Sequence, residues 1–163
     1  MEAILVKDQK AAAFVMEDGT FEGVYRITEK VCGDVEQVTG VRPKIIKWQG
    51  ALQPAQVYVA TLGNSEMSEA IAEEEGIELS SLCGKRECFL FQVLKNGSLL
   101  IAGSDKRGTI YGLFHISELM GVSPFVHFAD VVPAPQKEII FSEKDSMQSK
   151  EPSVKYRGFF IND

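Results

Sequence analysis

The chain has 163 residues, of which 45% are hydrophobic and 25% charged, the balance of one folded domain with a buried core rather than of a disordered polymer. The 17 Lys and Arg against 23 Asp and Glu leave a formal net charge of −6 with no long basic run, which argues against nucleic acid as a partner. The start, Met1-Glu2-Ala3-Ile4-Leu5-Val6-Lys7-Asp8, lacks the basic region of a signal peptide, and no stretch approaches the roughly 20 apolar residues of a membrane span. The sequence therefore fits a cytoplasmic protein and equally a secreted one whose signal has been removed, with no membrane as a partner.

In chain order, apolar runs predict strands over residues 3–7 and 12–16. A helix is then predicted over 20–39, where Val24, Ile27, Val31, Val35 and Val38 form one apolar stripe ended by Gly40 and Pro43. Strands follow over 44–47 and 57–62, then a second helix over 65–75, with Ser65 as its amino cap and the acidic run Glu73-Glu74-Glu75 at a solvated end. Strands over 88–94 and 98–102 flank Asn96-Gly97, which predicts a tight antiparallel hairpin with positive φ at the turn.

The third helix, over 104–120, carries Ile110, Tyr111, Leu113, Phe114, Ile116, Leu119 and Met120 around nearly its whole circumference and is expected to be the most buried. Further strands are predicted over 138–142 and 154–161. Strands alternating with helices, together with hairpins, define an α/β domain with a mixed sheet and helices packed on it. Residues 1–150 form that domain; residues 151–163 read as a linker and the first strand of a further one, with a boundary placed just after it begins. If that further domain is an α/β barrel, Asn162-Asp163 sits on the face where barrels build active sites, and a simple turn explains the two residues equally well.

Cys32, Cys83 and Cys88 form no Cys-x-x-Cys and cannot all pair within the chain, while His115 and His127 have no companion at ligand spacing, so neither a disulfide scaffold nor a zinc site is expected. Gly103-Ser104-Asp105-Lys106-Arg107-Gly108 leads from a strand into a helix and would suit an anion, but it lacks the Lys-Ser/Thr of a phosphate loop and the dinucleotide glycine pattern. Helix capping by Ser104 or Asp105 and a carboxylate contact are the favoured reading over nucleotide binding. No pair of carboxylates is placed to work across a sugar. Glu118 is the one interior-prone acid, favoured as a polar edge of its helix, and Phe125, His127 and Phe128 fit core packing better than a sugar platform.

Several segments resemble the amino-terminal region of glycoside hydrolase family 115: Thr61-Leu62-Gly63-Asn64-Ser65, Gly84-Lys85-Arg86-Glu87, the run from Gly103 to Gly112, Gly121-Val122-Ser123-Pro124 with Ala129-Asp130-Val131, and Glu151-Pro152-Ser153-Val154-Lys155-Tyr156-Arg157-Gly158-Phe159-Phe160-Ile161-Asn162-Asp163. Residues 1–60 match only loosely, and Phe125-Val126-His127-Phe128 departs from a family richer in tryptophan there. The resemblance implies a parent enzyme that releases glucuronic acid or its 4-O-methyl form from xylan by inversion and without a cofactor. It also implies a small α/β domain, similar to the non-catalytic domain preceding hexosaminidase barrels, whose partner is a carboxy-terminal catalytic barrel absent from this chain. By that resemblance Asn162 and Asp163 are sugar contacts, Glu118, Lys106 and Arg107 lie at the domain junction around the glucuronate pocket, and none of the catalytic residues is present. The competing expectation is a stand-alone carbohydrate-binding module.

Overall fold

A computed structural model describes residues 1–63, 65–126 and 131–158. The strands are β1 (Glu2–Lys7), β2 (Lys10–Ala11), β3 (Phe14–Met16), β4 (Ile45–Lys47), β5 (Val57–Thr61), β6 (Phe89–Val93), β7 (Leu99–Gly103), β8 (Ile139–Ser142) and β9 (Met147–Gln148); the α-helices are α1 (Glu22–Thr39), α2 (Glu66–Glu75) and α3 (Lys106–Leu119). Two sheets form, an antiparallel one ordered β2-β1-β8 and a mixed one of six strands ordered β4-β3-β5-β7-β6-β9. In the mixed sheet β4, β3, β5 and β7 run parallel, β6 runs against them, and β9, antiparallel to β6, runs with them.

The central strands β5 and β7 are buried along their whole lengths, which is why their sequences read as continuous apolar runs. Both faces of the large sheet are covered. On one, Phe14, Val59, Phe91 and Ile101 pack against Val31 and Val35 of α1 and Leu113 and Ile116 of α3, and the small sheet adds Leu5 and Phe141. On the other, Tyr58, Leu90 and Leu100 pack against Met67 and Ile71 of α2. The stripe of α1 is therefore the core side of the helix, and Gly40 ends it in the left-handed region (φ 76°), returning its N–H to the carbonyl of Glu36. Ser65 caps α2 as its position predicts, accepting the N–H of Ser68 at 3.0 Å.

The hairpin between β6 and β7 forms in register, with Val93 opposite Leu99, but its loop is longer than a two-residue turn. Leu94 and Ser98 close a loop of Lys95, Asn96 and Gly97 in which only Gly97 takes positive φ (81°), while the Asn96 side chain accepts the Ser98 N–H. Two further expectations change. Residues 154–158 form no strand, and the rest of that predicted strand lies outside the described residues. Helix α3 is not buried all round: Tyr111, Phe114 and Leu119 are exposed, because the helix meets the sheet on one side and α1 on the next and nothing among the described residues covers the third.

Candidate functional site: the outer face of the third helix

Besides the packing of Leu113 and Ile116, helix α3 is brought close to the sheet by glycines. A Cβ at Gly108 would lie 2.0 Å from the carbonyl oxygen of Cys88, one at Gly112 would lie 2.6 Å from Ile101, and one at Gly103 would lie 2.1 Å from the backbone nitrogen of Thr109. The glycine pattern that suggests an anion loop is thus the imprint of backbone touching backbone. Thr109, fully buried, completes the contact: its hydroxyl lies 2.7 Å from that of Thr61 and 3.2 Å from the carbonyl oxygen of Ala60. At the helix start Asp105 acts as the cap. One carboxylate oxygen accepts the Gly108 N–H at 2.7 Å, and the other accepts the Glu87 N–H at 2.9 Å. A carboxylate thus takes up the Gly108 N–H that an anion at this helix start would use, the capping role expected of Asp105.

Glu87 lies in the left-handed region (φ 57°) although it is not glycine, and its side chain is only 4% exposed. Its two oxygens receive two arginines: Arg107 from the first turn of α3 at 2.8 Å, and Arg157 from the far end of the described chain. The guanidinium of Arg157, then that of Arg107, hold the Glu87 carboxyl below the usual carboxylate range. Arg157 also donates to the Tyr111 hydroxyl at 3.3 Å.

Arg107, Tyr111, Phe114 and Glu118 recur at spacings of four, three and four and so form one stripe along the outside of α3. Its ends are charged and its middle aromatic. Beside the stripe lies a cavity of about 550 Å³ whose floor holds Lys30 and Asp34 of α1. Asp34 is 6% exposed and fully engaged, accepting from Lys30 at 3.0 Å and from the Ser117 hydroxyl at 2.8 Å, a polar tie between α1 and α3. On the rim, Glu118 meets His115 Nδ1 at 2.9 Å, and the imidazole packs edge-on against Phe91. The two carboxylates of this cavity are each committed to an α-helical neighbour, and neither pairs with the other as an acid and base would.

The residues expected at a site therefore divide. Arg107 and Glu118 share the α3 stripe, yet eleven residues along a helix separate their backbones by about 16 Å, so they mark two ends of one face and not one pocket. Lys106 lies beside Arg107 in the first turn of α3. Asn162 and Asp163 lie outside the described residues, as do His127 and Phe128; Phe125 is 53% exposed rather than core. Sequence reasoning missed Glu87 and Arg157, whose partners are far apart along the chain, and read Tyr111 and Phe114 as interior. The four-three-four spacing of the stripe was the available signal. Among the described residues no cluster of three His, Cys, Asp or Glu could hold a metal ion, and no helix is long and apolar enough to cross a membrane.

No family model matches the chain, and no curated protein does. Among solved structures it is similar to a family 115 4-O-methyl-α-glucuronidase with specificity for decorated arabinogalactans, at 29% identity and a TM-score of 0.73, over 94% of this chain and 19% of that one. A protein described as CpGH84D matches at 12% identity and a TM-score of 0.52, over 88% of this chain and 21% of that one, a likeness of fold alone. The chain thus spans about a fifth of the length of each solved protein, and the fold is that of one part of a family 115 glucuronidase.

Proposed function

We propose that the chain is the amino-terminal accessory domain of a glycoside hydrolase that removes α-1,2-linked glucuronic acid, or its 4-O-methyl form, from xylan. The match over 94% of the chain to one part of a glucuronidase carries this reading. Residues 1–150 are the accessory domain, and 151–163 lead into the catalytic barrel. The α3 stripe is the face it turns to that barrel, with Lys106, Arg107 and Glu118 at the junction and Asn162 and Asp163 as sugar contacts. Its aromatic middle is half-exposed, as a contact surface is and a core is not.

The domain supplies support and one wall of a pocket; hydrolysis belongs to the barrel. Incubating the chain with glucuronoxylan, and separately with arabinogalactan, is expected to release no glucuronic acid. Release from either would overturn the proposal. Tyr111 and Phe114 beside the cavity also favour a second reading, a carbohydrate-binding module in its own right. Calorimetric titration with methylglucuronate and with xylan separates the two, since heat of binding by the chain alone is expected only for the module.

A further inference from the structure

The segment after the small sheet does not simply leave the domain. From Ser146 onward it runs antiparallel along β6, touching it residue by residue. The Ser146 hydroxyl accepts from the Val93 N–H at 3.0 Å, Met147 and Gln148 pair with Phe91 and Leu90, and Ser149 bonds the Phe89 backbone through both its hydroxyl and its N–H. Past the end of β6, Arg86 reaches the Pro152 carbonyl oxygen at 2.9 Å and Glu151 at 3.7 Å. Arg157 then closes the series on Glu87 and Tyr111. Between Pro152 and Arg157 the chain is otherwise exposed, Tyr156 to 86%, so the arginine is the last anchor before Gly158.

We propose that Glu87 is a latch: it seats residues 151–157 as a strap on the domain and so fixes the line on which the chain leaves. Three features converge on that one side chain. Its backbone is bent into the left-handed region and its N–H is tied to Asp105, which aims the carboxylate outward beside the start of α3. Arg107 occupies one oxygen and leaves the other facing the strap. The strap carries the matching guanidinium, itself steadied by its bond to the Val154 carbonyl oxygen at 2.6 Å. The latch stands whether or not a catalytic barrel follows; only its consequence, a pre-set angle between domain and barrel, rests on the reading above.

Trypsin reads the latch directly, because cleavage at Lys155–Tyr156 or Arg157–Gly158 needs the strap lifted off, and the rate then follows the lifted population. Each rate is compared with that of a synthetic peptide covering residues 150–163 and carrying the same substitution. In the wild-type chain both bonds are expected to be cut at least about tenfold more slowly than in the peptide. Glu87→Gln brings both to within about twofold of it, and Arg157→Met does the same for the Lys155 bond while leaving Glu87 and Arg107 paired. Arg107→Met keeps the protection. Cleavage of the wild type at the peptide rate would overturn the proposal, and so would an Arg157→Met chain cut as slowly as wild type, a result that does not depend on how well Glu87 variants fold.

Discussion

Replacing Gly108 by alanine puts the glycine-mediated docking of α3 to a quantitative test. The added methyl would sit 2.9 Å from the Cys88 carbonyl carbon and 2.0 Å from its oxygen, the latter about 1.5 Å short of the ~3.5 Å of normal contact. Both obstacles are backbone, so no rotamer change relieves them. The helix start must lift, and the lift strains the Asp105 cap and the buried Thr109–Thr61 pair that hold it. Overpacking costs roughly 1–3 kcal/mol, and with backbone as the obstacle this case falls at the upper end, about 3 kcal/mol. For a chain of this size each kcal/mol moves Tm by roughly 2–4 °C, so Gly108→Ala is expected to lower Tm by roughly 6–12 °C.

Gly33 supplies the opposite case on α1. A Cβ there meets only the Arg42 Nη1, the far end of a flexible side chain, at 3.4 Å, so Gly33→Ala is expected to gain up to about 1 kcal/mol from helix propensity alone. Thermal and urea unfolding followed by circular dichroism measure both variants. A Gly108→Ala protein as stable as wild type would refute the close contact between α3 and the Cys88 backbone.

Other outcomes follow from burial and charge. Cys83 is exposed while Cys32 and Cys88 are buried, so a thiol reagent at neutral pH is expected to label one cysteine in the folded chain and three after denaturation. Burial, helped by nearby Glu29, pushes the Cys32 thiol up to about 12; its neutral form is favoured by folding, so that part of the stability is full below the ordinary thiol value of ~8.5 and is lost as pH rises toward 12, visible as a falling urea midpoint between pH 8 and 11. Glu87 behaves in the opposite sense. Its carboxyl is held low by Arg157 and Arg107, so the latch is at full strength above the ordinary carboxylate value of ~4.3 and weakens as pH falls through the depressed one. Side-chain ¹⁵N relaxation of Arg157 is expected to report a held guanidinium at pH 7 and a mobile one near pH 2; unchanged relaxation would contradict the pairing.

Local chemistry made much of the fold legible. The stripe of α1, the Ser65 cap, the Asp105 cap and the Asn96-Gly97 hairpin each rest on residues within a few positions of one another, and each stands close to where its residues place it. The strands β2 and β9 were not legible, because two-residue pairings carry no periodicity. Helix α3 was misjudged for a different reason. Only Leu113 and Ile116 of its apolar residues face the core in full; the rest of the buried side is Gly108, Thr109, Gly112 and Ser117, which hydropathy patterning scores as neutral. The Glu87–Arg107–Arg157 cluster depends on residues 20 and 70 positions from Glu87, a separation no local pattern reports.

Hydroxyl-radical footprinting of Tyr111, Phe114 and Leu119, in this chain and in a longer polypeptide that continues it through a catalytic barrel, tests the accessory-domain account most directly. At 37%, 36% and 41% exposure the three side chains are open to oxidation in the isolated domain. The account predicts severalfold slower modification of all three in the longer polypeptide, with Tyr25 on α1, 47% exposed, unchanged. Equal modification of these three side chains in both proteins would contradict it.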